Sequence, residues 1–216
     1  MKTLIAIPCM AMMHTDFVQS LVNLTRISPP GTSVCYKQSS LVYDARNLLA
    51  ITAMQNGYDR ILWLDSDMTF PPDTLQRLSD DMDAGGYDLV TGLYVKRTMP
   101  TRPVLYKHIA PPDMSEPDIK KCVIDCLDYP TDTVFPVAGC GFGCVLTTTD
   151  LIRRLFDRFG PAFTPLPWAS EDISFCYRAT LIGAKQVCDP RIPLGHLGLV
   201  QFTQQAYFAH RGDVHE

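Results

Sequence analysis

Two carboxylates one residue apart, Asp65 and Asp67, directly follow a short apolar run at residues 61–64. Apolar runs of this length, bounded by charge and then by prolines, are typical of a buried strand that leaves the core. Ligands of open α/β sheets bind outside the carboxyl ends of the strands, and paired carboxylates suit a hard divalent cation beside a phosphate group. The pair therefore predicts a metal-assisted site, unless Asp67 serves only as a turn residue before Pro71.

A second acidic pair and a late histidine carry related chemistry elsewhere in the chain. Glu171 and Asp172 open a segment with helical spacing, where a carboxylate can remove the proton of an attacking hydroxyl or can simply complement the helix dipole. His196 follows a late strand between glycines and can ligate manganese, although a lone histidine is more often structural. His210 and His215 are weaker candidates. Both explanations of each feature stay open.

Composition narrows the class of protein. The 216 residues carry a net charge of −4 and contain no basic run that could follow a nucleic-acid backbone. An apolar content of 46% and a charged content of 19% are ordinary for a soluble globular domain. Pro8 interrupts the first apolar run, which favours a strand over a signal peptide, and no run reaches the roughly 18–20 apolar residues of a membrane span. We expect a cytoplasmic protein.

Eight cysteines occur in this chain. In a chain of this size without a secretory signal, reduced thiols are expected rather than disulfides. Cys122 with Cys126 and Cys140 with Cys144 are each separated by three residues, whereas structural zinc sites favour a two-residue separation. We therefore expect small buried hydrophobic residues and treat zinc as the less favoured alternative.

Strands and helices alternate through roughly the first 95 residues, as in parallel βαβ units. The spacing predicts an α/β fold with a mostly parallel, doubly wound sheet and helices on both faces. Predicted strands span residues 3–7, 32–36, 59–67 and 87–94, and predicted helices span residues 16–27 and 41–54 and begin again at Pro71.

The second part of the chain is less regular. Residues 96–136 contain seven prolines, which predicts a small antiparallel excursion with loops near the site. Gly141 lies at the centre of three alternating glycines that allow close approach of a backbone or a ligand, but their spacing is not that of a dinucleotide fingerprint. Later elements are predicted as helices at residues 149–159 and 170–183, a strand at 187–192, a loop at 195–198 and a polar, mobile tail from Gln201.

Four short motifs now stand in a recognisable order: Ala45-Arg46-Asn47, Asp65-Ser66-Asp67, Glu171-Asp172 and Gly195-His196. Together they resemble the glycosyltransferases of the A fold, in particular family-2-like bacterial enzymes, from the first strand to about Gly198. The resemblance implies a single Rossmann-like GT-A catalytic domain over residues 1–200. Its nucleotide-binding half would be 1–95, its acceptor-side half 96–200, and residues 201–216 would be the tail.

The resemblance also implies an activity, which is metal-dependent transfer of a sugar from a nucleoside diphosphate sugar to an unidentified acceptor hydroxyl. The cofactor would be Mn²⁺ or Mg²⁺, and the donor a UDP-sugar in preference to a GDP-sugar. Asp67 would bind the metal directly, Asp65 would contact the ribose and the metal shell, and His196 would be a further ligand. Asp172 would be the base of an inverting reaction, with Glu171 positioning the base or the acceptor.

Further residues are assigned to the ligands by the same resemblance. Arg46 and Asn47 would face the nucleotide, although an arginine on a helix can also be an ordinary surface residue. Pro8 would border the nucleotide pocket. The candidates for contact with the donor sugar or the acceptor are Lys96, Gly141 and Trp168. An indole can stack on a sugar face or pack in the core.

Other functions remain open at this stage. Asp65, Asp67 and Thr69 match the motif of haloacid-dehalogenase-type phosphatases, in which the first aspartate is the nucleophile, but that motif normally follows the first strand. A non-catalytic sugar-nucleotide binding module would need Asp67 and not Asp172. A nucleotidyltransferase would need a glycine-rich loop after the first strand, and Pro8 with its successors does not supply one.

Overall fold

A seven-stranded sheet forms the centre of the computed structural model, which describes residues 1–113, 115, 118, 121–198 and 202–209. Its parallel strands are β1 (Thr3–Cys9), β2 (Thr32–Gln38), β3 (Arg60–Leu64), β5 (Leu89–Leu93) and β11 (Gln186–Pro193). Two further strands, β8 (Phe135–Pro136) and β10 (Cys144–Thr148), run antiparallel to their neighbours. The strand order is β2-β1-β3-β10-β5-β11-β8.

Helices cover both faces of this sheet. One face packs against α1 (Thr15–Ile27) and α3 (Thr74–Gly85), and the other against α2 (Val42–Gln55), α4 (Thr149–Phe159) and α5 (Glu171–Leu181). The α/β fold with a mostly parallel sheet, expected from the sequence, is thus confirmed.

The strand that precedes the two aspartates is buried on both faces. Along β3, Ile61 and Trp63 enter the apolar cluster under α2, α4 and α5, whereas Leu62 and Leu64 enter the cluster under α1 and α3. All four side chains have zero exposure. A strand covered by helices on both sides needs apolar residues at every position, which explains the unbroken apolar run.

Two small sheets lie outside the central one. Strands β6 (Leu105–Ile109), β7 (Val123–Asp125) and β9 (Gly139–Cys140) form the expected antiparallel excursion. The other sheet holds β12 (Gly195–His196) between β4 (Met68–Thr69) and β13 (Phe202–Thr203). The prediction of a loop at residues 195–198 was therefore wrong at its first two positions, because the sheet partners of β12 lie far away in the chain.

Residues 202–209 of the tail that was expected to be polar and mobile form a strand and a helix. After β13, α6 (Gln204–Ala209) packs against the rest of the chain through Tyr207, whose side chain is fully buried. Its hydroxyl donates a hydrogen bond to the Leu127 carbonyl oxygen at 2.6 Å. Gln201 itself and residues 210–216, with His210 and His215, lie outside the described residues.

The cysteines are free thiols, of which seven are buried and Cys35 is half-buried. Cys126, Cys140, Cys176 and Cys188 are part of the apolar cluster beneath α2, α4 and α5. Among the helices that the structure describes, none combines the length and the apolar character needed to cross a membrane.

Candidate functional site

A cleft of about 410 Å³ opens at the carboxyl ends of β1, β2 and β3. This volume is typical of pockets for ligands of the size of a nucleotide. Its wall is formed by Pro8, Cys9, Met10, Met12, His14, Ser39, Ser40, Val42, Ala45, Asp65, Ser66, Asp67 and Arg97. Pro8 and both carboxylates therefore border one cavity, at the sheet edge where the sequence predicts a ligand site.

Asp67 and His196 meet beside this cleft, because the register of β4 with β12 pairs His196 with Met68. The Asp67 Oδ2 and His196 Nε2 atoms are 3.5 Å apart. His196 Nδ1 lies 2.8 Å from the Val95 carbonyl oxygen, an atom that can only accept a hydrogen bond. The ring nitrogen Nδ1 is therefore the protonated one in the neutral imidazole, which leaves the Nε2 lone pair facing the carboxylate.

Arg97 is the second partner of Asp67. Its Nη1 atom lies 2.8 Å from Asp67 Oδ2 and donates a hydrogen bond to the Leu197 carbonyl oxygen at 3.0 Å. Burial opposes ionisation of Asp67, but the hydrogen bond and the charge that His196 supplies when its ring is also protonated at Nε2, together with the charge of Arg97, hold the pKa of Asp67 below the ordinary value. Asp67 is therefore kept as a carboxylate in the cleft wall.

The guanidinium of Arg46 links the two acidic motifs. Nη2 lies 2.7 Å from Asp65 Oδ1, and Nη1 is ion-paired with Glu171 Oε1. The side chain is 3% exposed, and its guanidinium carbon lies 5.5 Å from the ring centre of Phe142 and 5.9 Å from that of Phe163. Arg46 thus fastens the end of β3 to the start of α5.

The expectation that Arg46 and Asn47 face the nucleotide does not agree with this geometry. Arg46 is buried and its charge is shared between two carboxylates. Asn47 does not belong to the cleft wall, and its Oδ1 atom accepts a hydrogen bond from the Phe163 amide at 3.0 Å. Both residues hold the loop and helix that carry the second acidic pair, and the physical reason is the burial of this face of α2 under α4 and α5.

Both carboxylates held by Arg46 have a raised pKa. Burial is the main cause for Asp65 and for Glu171, and it outweighs the opposing charge of Arg46. The nearby Asp67 adds to the rise in the pKa of Asp65, and Asp172 adds to that of Glu171. Arg46 therefore offsets the negative charge of Asp65 and Glu171 only in part.

Gly141 has a packing role in this structure, in contrast to its expected contact with a sugar. It is buried, and a Cβ there would lie 2.6 Å from Val104 Cγ1 and closer still to the Tyr94 hydroxyl. At Gly143 the corresponding distance to Tyr94 Cζ is 2.8 Å. The glycines thus make room for the Tyr94 ring, whose hydroxyl accepts a hydrogen bond from the Gly143 amide, while the Gly143 carbonyl accepts one from Asp65.

Asp172 lies in the first turn of α5 and is half-buried. Its Oδ1 atom accepts hydrogen bonds from the Ile173 amide at 2.8 Å and from the Ser170 hydroxyl. Burial, followed by the charge of Asp172, raises the pKa of Tyr106, which indicates that the carboxylate lies near that ring. The structural role at the helix start is present, and the role as a base stays a prediction.

A second cleft of about 590 Å³ adjoins the start of α5. It is lined by Lys96, Arg102, Tyr106, Lys107, Val123, Ile124, Asp125, Leu127, Trp168, Ala169, Ser170 and Ile173. Lys96 and Trp168, both expected to contact sugar or acceptor, therefore share a cavity. Trp168 is half-buried, and its ring centre lies 5.3 Å from that of Tyr177 in an edge-to-face arrangement.

Sequence reasoning missed the contacts of two residues. It did not identify the contact of Arg97, whose side chain pairs with Asp67. It gave Tyr94 no role, although the hydroxyl of this residue supports the turn that carries Asp65. The alternating glycines were the available signal for Tyr94, since they indicate the close approach of some large group.

Comparisons with known proteins give three findings. Residues 37–133 match the model of glycosyl transferase family 2, a segment that contains Arg46, Asp65 and Asp67. The structure of A197 from STIV is 20% identical, with a TM-score of 0.62, and the alignment covers 92% of this chain and 86% of that one. No curated protein sequence matches.

A second similar structure is that of GalNAc-T7 with UDP, GalNAc and Mn²⁺. It is 10% identical with a TM-score of 0.59, and the alignment covers 91% of this chain and 43% of that one. The present chain thus spans less than half the length of this relative. At such identities both structures show a shared fold.

Proposed function

We propose that this chain, a family-2-like glycosyltransferase of the A fold, transfers a sugar from a nucleoside diphosphate donor to an acceptor hydroxyl with the help of a divalent cation. The family match over residues 37–133 and the shared fold support the resemblance noted in the sequence. The proposal rests above all on the meeting of Asp67 Oδ2 and His196 Nε2 beside the 410 Å³ cleft.

The donor set of this pair fits a cation. When Nδ1 of the neutral His196 ring donates its hydrogen to the Val95 carbonyl, Nε2 can only accept a hydrogen bond. The Asp67 Oδ2 atom, 3.5 Å away, is also an acceptor, so the two atoms cannot bond to each other directly. A cation between them, or a second proton on the ring, removes this conflict. The fixed Nδ1 contact is the kind of supporting hydrogen bond that orients metal-ligating histidines. Mn²⁺ suits mixed nitrogen and oxygen ligands.

Asp67 and His196 would hold the cation, with Asp65 next to them. Within the described ranges, no three histidine, cysteine or acidic side chains form a complete metal site, so we expect donor phosphate oxygens to complete the coordination. When bound, the cation would neutralise the charge that grows on the departing diphosphate.

Asp172 is our candidate for the base. The acceptor oxygen forms a bond to the anomeric carbon while its proton passes to the Asp172 carboxylate. The bond between that carbon and the diphosphate oxygen breaks, and its electron pair leaves with the diphosphate. A single displacement of this kind inverts the anomeric configuration. Glu171, held by Arg46, would fix the start of α5 so that Asp172 keeps its position.

The nucleotide would occupy the cleft at the ends of β1 and β2, against Pro8 and the Ser39–Ser40 turn. A UDP-sugar is the favoured donor, and a GDP-sugar is the alternative. The GalNAc-T7 structure contains UDP and Mn²⁺, which supports this choice.

A phosphatase based on Asp65 is not favoured. That mechanism needs a free aspartate nucleophile at the end of a first strand, whereas Asp65 follows β3 and is ion-paired with Arg46 at 2.7 Å. The family match is to a glycosyltransferase.

The test is calorimetric titration of UDP and GDP into the protein with and without Mn²⁺. We expect Asp67→Ala to weaken the Mn²⁺-dependent binding at least tenfold, since loss of a ligand should cost no less than the roughly 10–100-fold known for outer partners. Asp157→Ala, an exposed aspartate on α4, is the matched control. Binding of UDP with Mn²⁺ by Asp67→Ala at the parent's affinity would refute the metal assignment.

A further inference from the structure

The 590 Å³ cleft differs in charge from the rest of the molecule. Among the described residues that line it, three are basic, Lys96, Arg102 and Lys107, and one is a carboxylate, Asp125. The chain as a whole carries a net charge of −4. The cleft is therefore a basic surface on an acidic protein, and its field favours anions.

Asp125 offsets only part of this positive charge. Its carboxylate lies 3.0 Å from Lys96 Nζ and 3.5 Å from Arg102 Nη1. The exposed Lys107 makes no ion pair with any described carboxylate, although it lines the same cavity. Among the described side chains that line the cleft, one negative charge against three positive charges leaves an excess of positive charge, which the nearby Asp172 reduces but does not cancel.

The aromatic residues of the cleft provide flat apolar surface next to these cations. Trp168 is half-buried and is held edge-to-face by Tyr177, which fixes the indole without covering it. Tyr106 contributes a second ring, 5.8 Å from Lys96 Nζ. A fixed, partly exposed ring surrounded by hydrogen-bond donors suits the apolar face of a sugar ring.

We propose that this cleft binds the acceptor and that the acceptor is a carbohydrate with an anionic group, either a carboxylate or a phosphate. The identification of the occupant as the acceptor rests on the proposed glycosyl transfer, whereas the binding of an anionic carbohydrate does not. Lys107 and Arg102 contact the anion, and Trp168 stacks on the ring.

The position of the cleft relative to Asp172 agrees with this assignment. Ser170 and Ile173, on either side of the acidic pair, line the cleft, and Ser170 donates a hydrogen bond to Asp172. Asp65, on the nucleotide side, is joined through Arg46 to Glu171. The start of α5 is thus linked by direct contacts to residues of both cavities, which suits transfer from a donor in one cavity to a hydroxyl held in the other.

Intrinsic fluorescence offers a direct test, because Trp63 is fully buried and only Trp168 borders the cleft. The probes are methyl β-D-glucuronide, glucose 6-phosphate and the neutral methyl β-D-glucoside, titrated without nucleotide or metal. We expect at least one anionic probe to bind about tenfold more tightly than the glucoside, and this preference should shrink as NaCl is raised, because salt screens exposed charges. Trp168→Phe should remove the signal.

Lys107→Gln and Arg102→Gln should each weaken binding of the anionic probe about three- to fivefold, as expected for one exposed charge pair, with little change for the glucoside. Lys185→Gln, an exposed lysine just before β11 at the opposite end of the sheet, is the control and should change neither. Far-UV circular dichroism establishes that each variant is folded.

Equal affinity for all three probes, or folded Lys107 and Arg102 variants that keep the full preference, would overturn the proposal. A preference for glucose 6-phosphate identifies a phosphate as the anion, and a preference for the glucuronide identifies a carboxylate. If anionic probes bind as expected while UDP with Mn²⁺ does not bind, the proposed transfer fails and the anionic carbohydrate site stands.

Discussion

Replacement of Arg46 by methionine should damage both the stability of the protein and its site. The guanidinium is 3% exposed and is paired with Asp65, 31% exposed, and Glu171, 14% exposed. Removal of one partner from a buried ion pair costs about 3–5 kcal/mol, because the remaining charge is left without compensation. Since Asp65 retains access to water and methionine keeps most of the packing against Phe142 and Phe163, we expect a loss near the lower limit, about 3 kcal/mol.

Urea unfolding at pH 7.5, followed by circular dichroism, measures this loss. The double variant Arg46→Met with Glu171→Gln removes the more deeply buried of the two unpaired charges, so it should recover at least about 1 kcal/mol relative to Arg46→Met alone. The single variant Glu171→Gln completes the cycle, and Arg153→Met, at an exposed position of α4, controls for loss of a surface arginine.

A loss below about 1 kcal/mol for Arg46→Met would refute this reasoning, since that is the range of exposed ion pairs. Additive effects of the two substitutions would show that Arg46 and Glu171 are not energetically coupled. In either case Arg46 would not be the residue that holds β3 and α5 together.

Two further predictions concern the base and an acidic pair remote from the site. Asp172→Asn should bind UDP with Mn²⁺ like the parent and lose turnover by a factor of roughly 10²–10⁴, the usual contribution of a general base; undiminished transfer of sugar by this variant would exclude Asp172 from that role. Burial and the neighbouring Asp189 raise the pKa of Asp81 to about 6, so the folded state binds a proton there that the unfolded chain releases at about pH 4. Stability should therefore fall between about pH 4 and pH 6.5 as Asp81 ionises. We expect a loss of about 1–2 kcal/mol rather than the roughly 3 kcal/mol of the full shift, because solvent screens a partly exposed charge. Asp81→Asn should flatten this part of the pH profile in urea titrations, and a variant with the parent's slope would contradict the assignment.

The sequence predicted the fold correctly wherever the local pattern of an element matches the burial of that element in the structure. The apolar run before Asp65 predicts β3 because helices cover both of its faces. Helix α4 agrees with its predicted range because Thr148 accepts a hydrogen bond from the Leu151 amide at its start and Gly160 ends it. In such cases the signal for the element lies within the element itself.

The contact partners of individual side chains could not be predicted from the sequence in this way. Nothing near Arg46 in the chain indicates that it pairs with Asp65 and with Glu171, which is 125 residues away. The β-structure of Gly195 and His196 depends on β4 and β13, so a two-residue strand carries too little sequence of its own to be recognised. Gly141 signals close approach, but the pattern does not tell a tyrosine ring from a ligand.

The place of β10 in the central sheet has a consequence for the order of folding. This strand, Cys144–Thr148, lies between β3 and β5 and pairs with both, so the strands of the first 95 residues form a continuous sheet only after a much later segment arrives. During synthesis β3 would expose an unpaired edge until residue 148 has emerged, which is the kind of non-local pairing that slows folding. His196 reaches Asp67 later still, because β12 must find β4. The proposed cation site would therefore be among the last parts of the molecule to form. A chain that binds the cation would already have its central sheet complete.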